Sequence, residues 1–410
     1  APRDYLSTFL KIGTIIALAI GILITMPELK MPAVTQFIDG NGPVWKGGLF
    51  PFLFITIACG AVSGFHALIS SGTTPKLLDN EANARYIGYG GMLMESFVAI
   101  MAMVAASVIE PGVYFAMNSP PAIVGGDVVT VAQTVTSWGF AITPDALTAL
   151  AKDIGETTVL ARAGGAPTLA VGIAQILHHV LPGENTMAFW YHFAILFEAL
   201  FILTAVDAGT RAGRFMLQDL LGSFVPALKR TESWPANLIA TAGCVAMWGY
   251  LLYQGVIDPL GGINTLWPLF GISNQMLAGI ALMLATVVLI KMKRQRYIWV
   301  TMLPAVWLLI CTTTAGFIKL FDANPAVGFL SLAKKYSTAL DAGQVIAPAK
   351  NIDQMQHVII NAYTNAGLTV LFLFVVFSIL FYALKVGVAA WGNKERTDKE
   401  TPFKAMPDAR

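Results

Sequence analysis

Two carboxylates sit where carboxylates are expensive. Glu95 lies in GMLMESFVAIM and Glu198 in FAILFEALFIL, each roughly in the middle of a long apolar run. An ionised carboxyl at membrane depth is costly, so such a group is held protonated, is partnered, or takes up and releases a proton as its surroundings change. The last behaviour is what a proton-coupled carrier requires; a protonated or hydrogen-bonded structural Glu between helices is the other reading, and the residues alone leave both open. His66 adds an imidazole whose unperturbed pKa is about 6.5, suited to proton relay or substrate contact and equally to a packed neutral side chain.

The run that carries His66, ITIACGAVSGFHALISSGTTPK, concentrates Gly60, Ser63, Gly64, Ser70, Ser71, Gly72, Thr73, Thr74 and Pro75. Small residues let helices approach closely, which is one explanation. The other is a broken helix over 60–74, because Gly and Pro release backbone groups that are tolerable at membrane depth only where they line a cavity. Freed N–H groups and the hydroxyls of Ser63, Ser70, Ser71, Thr73 and Thr74 are suitable donors to a substrate carboxylate. Cys59, Ser63, His66 and Ser70 also recur on one face at helical spacing.

Asn274 and Gln275 in GISNQMLAGIAL, Thr312 to Thr314, and Asn361, Tyr363, Thr364 and Asn365 bridge helices or touch substrate on the same logic, with interhelical hydrogen bonding the simpler role. Asp207, Thr210, Arg211 and Arg214 form a polar stripe with a possible Asp207 to Arg211 pair. No Walker A loop, HExxH, GxSxG or dinucleotide fingerprint is present, which argues against an enzyme or an ATP-driven pump. His178 and His179 are adjacent and point about 100° apart on a helix, a poor metal pair. Cys59, Cys244 and Cys311 fall in apolar runs without metal spacing. No cofactor or metal is expected, only a proton as coupling ion.

The elements that position these groups are membrane spans. The 410 residues are 56% hydrophobic and 12% charged, about half the charged fraction of a soluble domain. A net charge of +2, spread in short clusters, gives no basic patch for nucleic acid. A hydrocarbon core needs about 20 apolar residues per helix. Eight runs qualify, near 6–26, 49–71, 86–109, 187–206, 238–256, 267–290, 297–318 and 359–384. They do not alternate as barrel strands would, so the expected fold is an all-α integral membrane protein. Sixteen Lys and Arg fall in segments assigned inside and seven in those outside, with Lys11, Lys319 and Lys385 at helix edges. Because basic loops stay cytoplasmic, both ends face the cytoplasm, 110–186 and 319–357 form extracytoplasmic loops, and 389–410 is a cytoplasmic tail. Ala166 to Leu181 is apolar but too short to span, so it is re-entrant or an amphipathic helix on the outer surface. The chain opens at Ala1 with neither Met nor a signal-peptide pattern, and a preceding section is expected.

The strings GPVWKGGLFPFLFITIACGAVSGFHALISSGTTPKLL, RYIGYGGMLMESFVAIMAMVAASVIEPGVYFAMN and WPLFGISNQMLAGIAL resemble the carbon starvation protein A family of bacterial inner-membrane transporters, over essentially the whole chain. The ending NKERTDKETPF is more similar to its pyruvate/proton symporter branch than to its peptide-transporter branch. The resemblance implies secondary active uptake of pyruvate or small peptides under nutrient limitation, a distant relation to LeuT/APC-like inverted-repeat carriers with broken helices, and an N-terminal section with further spans that these residues do not contain. It assigns no roles to Glu95, Glu198 or His66. The reading is therefore a multi-pass inner-membrane carrier that couples proton entry to uptake of a monocarboxylate such as pyruvate, with peptides as the alternative substrate. Its partners would be that small molecule and membrane lipid. A nutrient-sensing receptor is the competing class; it would need no mid-membrane carboxylates and would usually carry a signalling domain.

Overall fold

A computed structural model of the chain describes residues 2–44, 46–162, 164–230 and 233–393. Among the described residues the secondary structure is helical throughout, with no strand. Two compact units are built from interleaved stretches of chain. The first contains Ala1–Leu49, Ile69–Leu266 and Ala339–Val358; the second contains Phe50–Leu68, Trp267–Thr338 and Ile359–Arg410.

The first unit is organised around the short apolar helix that the sequence reads as either re-entrant or lying on the outer surface. Its elements are α1 (Pro2–Thr25), the end of the broken run 49–72, then α5 (Asn83–Val108), α6 (Pro111–Asn118), α7 (Pro121–Val124), α8 (Val128–Ser137), α9 (Pro144–Asp153), α10 (Gly165–Val180), α11 (Thr186–Phe224) and α12 (Trp234–Ile257). α10 packs on α1, α5 and α11 and buries Thr168, Ala170, Val171, Gly172, Ile173, Ala174, Ile176 and Leu177. That corrects the surface-helix alternative for 166–181. Between Ala166 and Leu177 the only polar residues are Thr168 and Gln175, and a helix apolar on nearly all sides is driven into the interior. Gly172 permits the approach: a Cβ there would lie 2.1 Å from the Ala105 carbonyl oxygen of α5.

The stretch 110–186 is a layer of helices rather than an open loop. Asp127 caps α8 by accepting from Val129 N–H, Thr130 N–H and the Thr130 hydroxyl. The hydroxyl contact is the largest of the effects that hold its carboxyl below the usual carboxylate range. Phe115 stacks on Phe140 at 4.6 Å between centroids, with Phe37 and Trp138 packed edge-on beside them. Burial of Tyr114 beside this cluster raises its phenol pKa. The Asn118 side-chain amide donates to Thr168 Oγ1 at 2.9 Å and its carbonyl accepts from Gly164 N–H at 3.1 Å, tying α6 to the start of α10.

The second unit holds the start of the broken run with α13 (Gly262–Lys291) from Trp267, α14 (Ile298–Phe321), α15 (Phe329–Asp341) to Thr338, and α16 (Ile352–Gly392) from Ile359. Among the described residues seven helices are long and apolar enough to cross a membrane: α1, α5, α11, α12, α13, α14 and α16. The second expected span, 49–71, is divided into α2 (Leu49–Thr56), α3 (Ala58–Ala61) and α4 (Gly64–Gly72), so seven of the eight expected spans are met by a single long helix. α11 and α16 have 39 and 41 residues, so each extends about 60 Å, twice the hydrocarbon thickness. The Asp207 to Arg211 pair forms at 3.0 Å on the part of α11 beyond the expected span 187–206. Of the expected tail 389–410, α16 continues through Gly392, and 394–410 lie outside the described residues.

Candidate functional site

The run departs from helix at three points, the last of them within the expected 60–74, where Gly64–Gly72 is itself helical. Phe50, just before Pro51, has extended backbone angles (φ −99°, ψ 131°); the chain turns at Ile57 and leaves helix again at Val62 and Ser63. Each departure frees backbone groups that need partners away from water. Part of that need is met inside the run: the Ser63 hydroxyl accepts from His66 N–H at 3.4 Å, and the Ser63 carbonyl from Ala67 N–H at 3.4 Å. The remainder is met by α13. Phe65 N–H donates to Asn274 Oδ1 at 2.8 Å, and Gln275 Nε2 donates to the Phe54 carbonyl. The two amides thus hold the run on either side of its second break. Contact is close because both partners present glycine: a Cβ on Gly64 would lie 1.9 Å from the Asn274 carbonyl oxygen, and one on Gly271 would lie 2.5 Å from the Ile55 carbonyl oxygen. Small residues therefore serve packing as well as the break.

These contacts settle the orientation of both amides. A backbone N–H can only donate, so Asn274 presents its oxygen to Phe65; a carbonyl can only accept, so Gln275 presents its nitrogen to Phe54. What is left over is Asn274 Nδ2 and Gln275 Oε1. Both atoms are buried and have no hydrogen-bond partner among the described residues, in side chains only 3% and 2% exposed. An unmade hydrogen bond at a buried amide costs about 1–3 kcal/mol. One spare donor and one spare acceptor thus remain on neighbouring residues of α13.

The remaining predicted groups are distributed between the units. Ser63, His66, Asn274 and Gln275 belong to the second; Ser70, Ser71, Thr73, Thr74, Glu95 and Glu198 belong to the first. Cys59 Sγ lies 4.0 Å from Ser63 Oγ, and the His66 ring is exposed, edge-on to Phe65. A single face shared by Cys59, Ser63, His66 and Ser70 presumes an unbroken helix, and the break at Val62 and Ser63 interrupts that register. Thr73 and Thr74 both turn their hydroxyls onto the Ile69 carbonyl at 3.2 Å, while Ser70 and Ser71 are exposed. Glu95 on α5 and Glu198 on α11 are each half-buried. Thr312 and Thr313 return their hydroxyls to Leu308 and Leu309 of their own helix instead of bridging to another.

Two lysines dismissed as edge residues lie inside apolar helices. Lys11 of α1 donates to Thr204 Oγ1 of α11 at 2.6 Å and sits 5.7 Å from the Phe201 ring. Lys319 of α14 is 5% exposed, with Nζ 5.2 Å from the Phe52 ring and 5.8 Å from the Phe329 ring. Lys11 already falls within the expected span 6–26, and drawing the seventh span three residues further, to Phe321, would have taken in Lys319. Among the described residues no group of three or more His, Cys, Asp and Glu side chains is placed to hold a metal ion.

The family model described as carbon starvation protein CstA matches residues 1–315. The pyruvate/proton symporter BtsT of Escherichia coli (strain K12) is 64% identical over 431 residues, an alignment covering all of this chain and 60% of that relative. The peptide transporter CstA of the same organism is 64% identical over 414 residues, covering all of this chain and 59% of the relative. The peptide transporter CstA of Campylobacter jejuni is 64% identical over 321 residues, covering 78% of this chain and 46% of the relative. The chain thus spans about three fifths of the length of its two Escherichia coli relatives. No solved structure matches it.

Proposed function

The chain belongs to the carbon starvation protein CstA family, and on that premise we propose that it forms the membrane core of a secondary transporter that takes up pyruvate or a similar small monocarboxylate with a proton. The observation that carries this reading is the helix break at Val62 and Ser63, held by two buried amides of α13 that keep a donor and an acceptor in reserve. Irregular backbone at membrane depth belongs where a substrate passes, and Asn274 and Gln275 are groups able to meet a small polar solute there. Glu95 and Glu198, both inside spanning helices, are the groups proposed to carry the coupling proton, with His66 as relay or substrate contact. Ser63, Ser70, Ser71, Thr73 and Thr74 complete the proposed pathway.

The broken run also supports a relation to inverted-repeat carriers of the LeuT/APC kind, in which half-helices meet the substrate near the midplane. A bacterial inner membrane is the proposed location, and the basic-residue asymmetry supports putting both ends of the chain in the cytoplasm. Uptake of small peptides is the second reading, favoured by the relative that carries that name at the same 64% identity. Counterflow of labelled pyruvate in proteoliposomes, with unlabelled pyruvate or dipeptides as competitors, decides between them. Exchange of label that pyruvate suppresses and dipeptides do not is the expected result; absence of labelled-pyruvate exchange, with exchange of a labelled dipeptide in a parallel run, would overturn the monocarboxylate reading.

A further inference from the structure

The length of α12 sets a depth that hydropathy along α11 does not. α11 has 39 residues and length to spare, but α12 has 24 and reaches only about 36 Å, so its apolar run 238–256 has to lie within the hydrocarbon. Contacts fix which part of α11 runs beside it. Gln218 Nε2 donates to Asn237 Oδ1 at 2.8 Å, a Cβ on Gly243 would lie 3.1 Å from Leu217 Cδ2, and Cys244 Sγ donates to the Thr210 carbonyl at 3.8 Å. The two helices are thus antiparallel neighbours. Cys244 is seven residues past Asn237, which sets Thr210 and Arg211 about 10 Å deeper than the start of α12 and Asp207 about 15 Å deeper, near the middle of the core. The stretch of α11 that follows the expected span 187–206 is therefore at membrane depth as well.

We propose that Arg211 binds the carboxylate of the substrate inside the membrane, with Asp207 holding its guanidinium in place. On the transport reading above, this names the group that recognises the charge of the solute. The Asp207–Arg211 pair is a single contact, from Nη2 to Oδ2 at 3.0 Å, and Arg211 makes no other hydrogen bond among the described residues. Most of its planar fork of N–H donors is open to a carboxylate, which such a fork can take with two hydrogen bonds. Each of the two side chains keeps 43% of its surface open, and charges at this depth do not face lipid, so the open side faces a water-filled path. A second element marks that path. The broken run ends against α11 beside the pair, where a Cβ on Gly72 would meet Ala212 Cβ at 3.8 Å. One turn before Asp207, Lys11 Nζ donates to Thr204 Oγ1 at 2.6 Å, which adds a cation from α1 and favours an anion over a neutral solute. A monocarboxylate and the C-terminus of a peptide carry the same group, so one arginine serves either substrate.

Depth and binding are tested separately. Met216 is exposed on α11, beyond the expected span and level with the start of the apolar run of α12. A nitroxide on Met216→Cys, in a Cys59→Ser background that removes the exposed native thiol, should collide more often with oxygen than with a water-soluble nickel chelate. The reverse ranking puts the pair outside the hydrocarbon and overturns the proposal. In counterflow of labelled pyruvate, unlabelled pyruvate should compete about tenfold or more better than its neutral amide, pyruvamide, and Arg211→Gln should reduce that ratio to about twofold or less. Arg211→Lys, which keeps the charge and loses the fork, should fall between. Equal competition in the wild type overturns the proposal, as does an undiminished ratio in Arg211→Gln. If Arg211→Gln does not assemble, Arg211→Lys is read in its place, and a wild-type ratio there overturns the proposal; if neither assembles, the wild-type comparison decides. Where a labelled dipeptide exchanges and pyruvate does not, the same comparison between a dipeptide and its C-terminal amide identifies the peptide as the source of the carboxylate. If the wild type exchanges neither, the transport reading has failed. The Met216 label, and a rise in unfolding temperature given by pyruvate but not pyruvamide and lost in Arg211→Gln, then still read the site.

Discussion

Charge inside the spans is the residue-scale question, because each ionisable group there has to be neutralised, paired or used. Replacing Glu95 or Glu198 by Gln fixes the group in its neutral form at nearly unchanged volume. If either carries the coupling proton, its Gln variant should lose accumulation driven by a pH gradient, by tenfold or more, and keep counterflow, since exchange needs no net proton movement. Accumulation close to wild type in both variants, at matched expression, would place the coupling group elsewhere. Lys319 widens the list of candidates: a buried ammonium between the rings of Phe52 and Phe329 gains from both faces, and Phe52 lies on the broken run itself. The carboxylates were legible because an acidic residue stands out in an apolar run. Lys11 and Lys319 were not, because a lysine near the end of such a run reads as a snorkelling anchor until the helix around it is seen to continue.

At the scale of elements, close contacts between helices depend on single glycines. Gly64 fits against the α13 backbone and Gly172 against that of α5, with prospective Cβ atoms 1.9 Å and 2.1 Å from a carbonyl oxygen. A backbone oxygen cannot rotate away, so Gly64→Ala and Gly172→Ala should each destabilise by about 1–3 kcal/mol or displace the helix pair. Gly88 of α5 has open space where a Cβ would go, and Gly88→Ala should be neutral or stabilise by up to about 1 kcal/mol. Thermal unfolding in detergent checks all three; a Gly64→Ala protein as stable as Gly88→Ala would contradict the packing of α4 on α13. Composition pointed to 60–74 as a weak stretch of helix, since Gly, Ser, Thr and Pro weaken helix wherever they accumulate, but it left close packing as an equal explanation and did not mark the departures at Phe50 and Ile57. It could not say which released groups stay free, because their partners Asn274 and Gln275 are some two hundred residues away in the chain.

For the whole molecule, the proposed topology puts the helical layer 110–186 outside the cytoplasm, and an introduced cysteine tests it. Asn118 is a poor probe, being 7% exposed and bonded to Thr168 and Gly164. Asp153, exposed at the end of α9, is a better one. Asp153→Cys should react with an impermeant thiol reagent added to the periplasmic face, and reaction only from the cytoplasmic face would reverse the threading. The sequence by itself determined that this is a multi-pass helical membrane protein, and it marked the Gly-, Ser-, Thr- and Pro-rich stretch 60–74 as one open to either close packing or a break. Hydropathy and helix propensity are properties of neighbouring residues, so they can be read in order along the chain. Tertiary structure alone decided that α10 is a core helix, that Lys319 is buried, and that Asn274 and Gln275 close the break while keeping one donor and one acceptor. Each of these outcomes depends on which distant backbone arrives to satisfy a polar group or cover an apolar face, and that is a matter of packing in three dimensions.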